Sequence, residues 1–128
     1  MDTLQQFILV GLGGAIGSIA RWQLSSVILR NFFDWKFPLG TFTVNVLGCL
    51  VIGIFAGLAV KEDYFSSDTR LLLFTGLMGG FTTFSAFGLE TFYLLKSGEY
   101  LIAGGNIALS VVCGMVALFI GFHAIWQN

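Results

Sequence analysis

Apolar residues dominate the chain in four long runs, and most charged residues are gathered in short stretches between them. The runs cover residues 7–28, 37–60, 71–95 and 101–126. A helix needs about 20 mostly apolar residues to cross a hydrocarbon core of about 30 Å, and each run reaches that length. The pattern therefore predicts an all-α integral membrane protein with four transmembrane helices, forming a single transmembrane domain over residues 1–128.

The connections between the predicted spans, RNFFDWK, KEDYFSSDTR and KSGEY, are short. With four spans, both ends of the chain fall on the same side of the membrane. That side carries Lys61 and Arg70, whereas the other carries Arg30, Lys36 and Lys96. Arg21 adds to that second side if its guanidinium snorkels that way. Two basic residues against three or four is a weak bias under the positive-inside rule. The charge count therefore permits insertion in either orientation and, with it, an antiparallel homodimer.

The composition supports a membrane setting and argues against two classes of function. Hydrophobic residues make up 56% of the chain and charged residues only 10%, whereas soluble domains carry about 25% charged residues. The six Lys and Arg residues are scattered singly and the net charge is −1, so the basic patch that nucleic-acid binding requires is missing. The sequence also lacks a phosphate-binding loop, a nucleophile with a base and a metal-ligand cluster, which argues against an enzyme.

Glycine accounts for 17 of the 128 residues, nearly twice its usual share of about 7%. Small residues four positions apart let helix backbones approach closely in lipid. Three such pairs occur: Gly13/Gly17, Gly53/Gly57 and Gly76/Gly80. We interpret most of the glycines as helix-packing positions.

The third span contains the segment GLMGGFTTFSAFGLE, in which two glycines are followed by two threonines and a serine. Glycine, β-branched and hydroxylated residues all weaken a helix. Non-helical backbone inside a membrane persists only where it is buried in protein or lines an aqueous cavity. We therefore predict that the third helix is broken between Gly79 and Ser85. A kinked but continuous helix is the alternative.

Polar side chains inside a span are costly, so they mark a pathway or a specific pairing. Arg21 in the first span either anchors the helix or attracts anions electrostatically. Asn45 in the second span either hydrogen-bonds a neighbouring helix or donates its amide N–H groups to a dehydrated anion. Glu90, the one acid within the predicted spans, serves either proton coupling or structure.

Two phenylalanines follow the predicted break at a spacing of three residues. A helix that continues beyond the break places Phe84 and Phe87 on one face. An aromatic ring carries a positive edge, so ring edges, an Asn amide and hydroxyls together can replace part of the hydration shell of an anion. Ordinary packing of the two rings is the alternative.

The segments GGAIGSIAR, GTFTVNVLG and GLMGGFTTFSAFGLE resemble the signatures of the Fluc (CrcB) family of fluoride channels, and they fall in order on three of the four spans. The resemblance implies an antiparallel, dual-topology homodimer with two pores, surrounded by lipid in the cell (inner) membrane. Such a channel lets fluoride leave the cytoplasm passively, down its electrochemical gradient, and so lowers fluoride toxicity.

The resemblance also implies a set of pore residues. Phe84 and Phe87 match the aromatic pair whose ring edges line the fluoride pathway. Asn45 matches the amide donor that reaches the pore from the second span. Thr83 and Ser85 resemble part of a polar track along the same pathway.

Four further residues match family positions outside that set. The backbone carbonyls of Gly79 and Thr82 correspond to ligands of a structural sodium ion (Na+) that both subunits hold at the dimer interface. Arg21 matches the arginine of the first signature, which suggests a role at the vestibule. Glu90 matches the acid that follows the phenylalanine pair.

The sequence departs from the family pattern at Ala86, where a hydroxyl residue is expected. In the fourth span, Asn106 and Ser110 are the candidate pore contacts.

A small proton-coupled multidrug-type exporter is the alternative function, because such proteins also have four short spans and insert in both orientations. That mechanism needs a carboxylate within the membrane, and Glu90 is its candidate.

Overall fold

The computed structural model describes residues 2–61 and 65–127, which are helical apart from short connections. Four helices in these ranges are long and apolar enough to cross a membrane: Thr3–Asn31, Leu39–Lys61, Ser67–Lys96 and Tyr100–Trp126. Each end lies within four residues of the predicted limit. The predicted all-α fold with four spans is confirmed, whereas the part of the second connection at 62–64 lies outside the described residues.

The helical elements in chain order are α1 (Thr3–Asn31), α2 (Leu39–Lys61), α3 (Ser67–Arg70), α4 (Gly79–Phe81), α5 (Phe84–Lys96) and α6 (Tyr100–Trp126), with a π-helical segment, Leu71–Met78, between α3 and α4. A reciprocal cap starts α1: the Asp2 carboxylate accepts the Gln5 N–H over 2.8 Å, and the Gln5 side chain accepts the Asp2 N–H over 3.2 Å. The turn between α5 and α6 uses Gly98 at a φ of 79°, which glycine adopts without steric cost.

The third span is interrupted at Thr82 and Thr83, whose φ/ψ angles of −87°/157° and −149°/114° are extended. The Thr82 hydroxyl donates to the Met78 carbonyl over 2.9 Å at the end of α4. The Thr83 hydroxyl accepts the Ala86 N–H over 3.2 Å and caps the start of α5. Two adjacent threonines thus end one helix and begin the next, which confirms the predicted break and excludes the continuous helix.

Glycines bring helix backbones into direct contact. α1 lies against the π-helical segment and α4. A Cβ atom added at Gly13 would lie 2.7 Å from the Leu72 carbonyl oxygen, and one added at Gly17 would overlap the Leu77 carbonyl. The glycine pair predicted in α2 approaches α6 in the same way. The interpretation of these glycines as packing positions is confirmed.

Gly17→Ala is expected to lower the free energy of unfolding by about 2 kcal/mol, because the new methyl group meets backbone atoms of Leu77 and Phe81 that cannot turn aside. Gly11→Ala is the matched control in the same helix, since nothing lies within 4 Å of its added Cβ. Thermal unfolding in detergent compares the two variants. Equal melting temperatures would show that the backbone contact has no energetic weight.

Two side-chain contacts show which helix ends are neighbours. Lys36, between α1 and α2, forms an ion pair with Glu99, between α5 and α6, at 2.6 Å. At the opposite end of the bundle, Lys61 Nζ donates to the Ile125 carbonyl over 3.2 Å. The first and third connections therefore lie at one end, and the end of α2 lies beside the end of α6, as four antiparallel spans require.

Large apolar side chains cover the outside of the bundle rather than fill an interior. Within residues 2–61 and 65–127, four apolar residues are buried: Val44, Ala59, Met78 and Ala103. Lipid tails are as apolar as leucine, so a membrane helix gains little from hiding such surface. The bundle is therefore held by close backbone contact and by polar pairings between helices.

Candidate functional site: a cavity beside the broken helix

A cavity of about 370 Å³ lies beside the break, between α2, α5 and α6. Its lining consists of Asn45, Gly48, Cys49, Ile52, Thr82, Thr83, Phe84, Phe87, Ser110 and Val111. Five of these residues were predicted for a pore from the sequence: Asn45, Thr83, Phe84, Phe87 and Ser110. Ser85 was also predicted, and it lies outside the lining with its hydroxyl 3.4 Å from that of Thr83. Amide, hydroxyl and aromatic groups from three helices thus share one cavity.

The Asn45 side chain bonds to both backbone groups of Thr83. Its amide nitrogen donates to the Thr83 carbonyl over 2.9 Å, and its oxygen accepts the Thr83 N–H over 2.8 Å. These bonds replace helical hydrogen bonds that are lost where a helix ends. A primary amide carries two N–H donors, so one remains for the cavity. The pairing between helices is confirmed, and donation to an anion stays a prediction.

The rings of Phe84 and Phe87 lie together on one side of α5. Their centroids are 5.6 Å apart and their planes are inclined by 43°, which confirms the common face predicted from their spacing. Phe87 is partly buried, whereas Phe84 is 73% exposed. A residue that lines the cavity and is also so exposed stands at the open side of the cavity wall.

A chain of hydrogen bonds lies behind the cavity wall. Ser110 Oγ donates to Asn106 Oδ1 over 3.2 Å, and Asn106 Nδ2 donates to Thr91 Oγ1 over 3.0 Å. The Thr91 hydroxyl in turn donates to the Phe87 carbonyl over 2.8 Å. Asn106 was predicted as a pore contact, but it is only 1% exposed and does not line the cavity. It is hydrogen-bonded to Ser110, which does line the cavity.

Backbone carbonyls at the end of α4 lack their usual helical donors. In a continuous helix the Gly79 carbonyl accepts the Thr83 N–H, but here that N–H donates to the side-chain oxygen of Asn45 in α2. The Gly80 carbonyl accepts from Arg21 Nε over 3.0 Å. Arg21 is thus anchored within the bundle, one of its two predicted roles. The carbonyls of Gly79 and Thr82 are groups of the kind that unwound membrane helices offer to sodium.

Glu90 lies apart from this cavity. Its Oε1 accepts the Thr41 hydroxyl over 2.6 Å. Its Oε2 is buried and has no hydrogen-bond partner in the part of the chain that the structure describes. Glu90 lines two smaller cavities of about 240 Å³ each, together with Pro38. Neither shares a lining residue with the cavity at the break, so the carboxylate is separated from the predicted pore residues.

Three residues of the site that carry a hydroxyl or thiol group were not predicted from the sequence: Cys49 in the cavity wall, Thr41 beside the carboxylate and Thr91 in the hydrogen-bond chain. Each lies four residues from a residue that was predicted. Thr41 and Cys49 flank Asn45 in α2, and Thr91 follows Phe87 in α5. Residues four apart share one face of a helix, so this spacing is the signal that finds them.

One of the four spans is broken beside a cavity whose wall carries uncharged polar groups. This arrangement defines a multi-pass membrane protein of the class that moves small ions or solutes through a bilayer. The chain belongs to the CrcB family, because the family model described as "CrcB-like protein, Camphor Resistance (CrcB)" matches residues 8–122. The resemblance of the three motifs is thereby confirmed.

Curated relatives match nearly the whole chain. A protein of Methylobacillus flagellatus is 59% identical over 122 residues, which cover 95% of each chain. Proteins of Azobacteroides pseudotrichonymphae and Rhizobium etli are 41% and 48% identical, with 93% and 91% of this chain and 94% and 92% of theirs covered. All three relatives carry the name "Fluoride-specific ion channel FluC".

Proposed function

We propose that this protein is a fluoride-selective channel that lets fluoride leave the cytoplasm passively. The observation that carries the proposal is the 59% identity, over 95% of the chain, to a relative named as a fluoride-specific ion channel. The cavity beside the break supports it, because amide, hydroxyl and phenylalanine groups from three helices line one space. Conduction involves no covalent step, so no enzymatic activity is proposed.

In this proposal the cavity replaces part of the water that fluoride loses. The second N–H of the Asn45 amide and the hydroxyl of Thr83 are hydrogen-bond donors, and the ring edges of Phe84 and Phe87 add positive potential. None of these groups is charged. Conduction requires binding that is weak enough for the ion to leave again, and an uncharged donor set meets that requirement. Chloride is larger, so it fits less well into a narrow passage.

The direction of transport follows from the membrane potential. Fluoride enters a cell as the neutral weak acid and is trapped inside as the anion. An inside-negative potential contributes about 2.3 kcal/mol per elementary charge for each 100 mV, which drives an anion outward without another energy source. In a bacterium such a channel works in the inner membrane and lowers fluoride toxicity.

We further propose that two copies insert antiparallel and form a homodimer held by a structural sodium ion. The weak charge bias between the two ends of the bundle supports dual insertion, and the 73% exposure of Phe84 supports a second chain that completes the cavity wall. The Gly79 and Thr82 carbonyls of both copies would hold the ion.

Sodium removal tests this assembly. Replacing sodium by N-methyl-D-glucamine is expected to shift detergent-solubilised protein from twice the chain mass of 13.9 kDa toward monomer, and restoring sodium should reverse the shift. Light scattering coupled to gel filtration measures the protein mass. A dimer that survives equally well without sodium would remove the ion from the proposal.

The function itself is tested by ion efflux from proteoliposomes loaded with equal fluoride and chloride, with valinomycin and potassium setting the potential. Fast fluoride release with little chloride loss is expected. No electrogenic release from well-folded protein, or proton movement coupled to substrate, would overturn the proposal and direct attention to Glu90. No observation on the described residues favours the coupled exporter, because Glu90 lines cavities that are separate from the one at the break.

A further inference from the structure

Polar side chains are rarely buried in this bundle. Over residues 2–61 and 65–127, three polar residues are buried: Thr41, Thr91 and Asn106. Two of them, Thr91 and Asn106, are bonded to each other between α5 and α6 at 3.0 Å. With 6% and 1% of their surfaces exposed, neither can exchange its partner for water, so a lost bond leaves a buried group unsatisfied.

The bonded pair connects two residues of the cavity wall. Thr91 lies one helical turn after Phe87, and Asn106 lies one turn before Ser110. Thr91 bonds back to the Phe87 carbonyl over 2.8 Å, and Asn106 accepts from the Ser110 hydroxyl over 3.2 Å. The four residues thus form one continuous chain from a ring-bearing turn of α5 to a hydroxyl-bearing turn of α6.

The Thr91 hydroxyl is the centre of this chain because it both donates and accepts. Its single proton goes to the Phe87 carbonyl, and its oxygen accepts the Asn106 amide. Each bridging side chain therefore bonds on both of its sides. Buried polar networks that are satisfied in this way fix one arrangement of the elements they join. The bond from Ser110 to Asn106 also restricts the rotation of the Ser110 hydroxyl.

We propose that Thr91 and Asn106 are positioning residues of the ion pathway. Without lining the cavity, they set the separation between the α5 turn that carries Phe87 and the α6 turn that carries Ser110, and through it the discrimination between fluoride and chloride. The inference rests on the proposed function. It assigns selectivity to a layer of residues behind the cavity wall, in addition to the residues of the wall itself.

The test compares Thr91→Val with Thr91→Ser. Valine keeps the branched shape and has a methyl group in place of the hydroxyl, whereas serine keeps the hydroxyl. In the efflux assay with equal fluoride and chloride, Thr91→Val is expected to lower the fluoride-to-chloride rate ratio about fivefold or more, the scale set by one lost hydrogen bond. Thr91→Ser should stay near the wild-type ratio. If Thr91→Val yields no folded protein, Thr91→Ala takes its place.

A double variant shows whether the chain of hydrogen bonds from Phe87 to Ser110 acts as one unit. If Thr91 works through Asn106 on Ser110, the effect of Thr91→Val on the ratio should shrink when Ser110→Ala is already present, because residues in one network are not additive. Independent effects of the two substitutions would overturn the connection. Equal ratios for Thr91→Val and wild type would overturn the inference while fluoride flux remains. A wild-type protein that passes no fluoride would instead overturn the proposed function.

Discussion

Phe84→Ile and Phe87→Ile are each expected to reduce fluoride efflux by about fivefold. The edge of an aromatic ring contributes about 1 kcal/mol to its contact with another ring. We use the same scale for a ring edge beside an anion, and about 1 kcal/mol corresponds to a factor of about five. Isoleucine fills similar space but has no ring edge for an anion. Because the two rings line one cavity with centroids 5.6 Å apart, an ion beside one ring is also near the other. Efflux from proteoliposomes measures both variants.

Phe92→Ile is the matched control for these substitutions. Phe92 also belongs to α5 and is 55% exposed, but it lines none of the cavities described above. Its replacement should leave fluoride efflux unchanged. Phe87 is partly buried within its own chain, so Phe87→Ile should also lower the melting temperature measurably. Wild-type efflux from both Phe84→Ile and Phe87→Ile would remove the aromatic contribution from the mechanism.

The spans and the break were predictable because they depend on local properties of the chain. Length and hydropathy determine a membrane helix, and the Thr82–Thr83 pair weakens one at a single point. The π-helical segment Leu71–Met78 has no comparable local signal. The segment lies against α1, where glycine permits backbone contact. Its geometry therefore depends on a neighbouring helix, which the helix propensities of its own residues do not reveal.

The candidate site was predictable in its residue types and less so in its contacts. Membrane helices are apolar on most sides, so hydrophobic periodicity does not show which face meets a neighbour. Asn45 bonds to Thr83, which lies 38 positions along the chain, and only the packing of α2 against the third span brings them together. For the same reason Asn106 was expected at the pore, although it is buried and only Ser110, one turn further along the same face of α6, reaches the cavity.

Asn45→Leu is expected to abolish fluoride efflux and to lower stability together. Leucine is close to asparagine in volume but accepts no N–H and donates none. Both backbone groups of Thr83 would lose their partners, at about 1–3 kcal/mol for each buried group left unsatisfied. The melting temperature in detergent and the fluoride efflux rate are measured on the same preparation. Wild-type values for both would contradict the role of Asn45 at the break.

Asn31→Leu is the control for this change, because the Asn31 amide donates to Val27 within its own helix and is exposed. It should affect neither measurement.

The comparison with Phe84→Ile separates two functions of the site. The Phe84 ring makes no hydrogen bond to a backbone group, so its loss should reduce efflux more than it lowers the melting temperature. Asn45 holds the broken helix and also offers a donor to the cavity, so its loss should reduce both. Such a divergence would show that the scaffold of the break and the contacts to the ion are carried by different side chains that meet in one cavity.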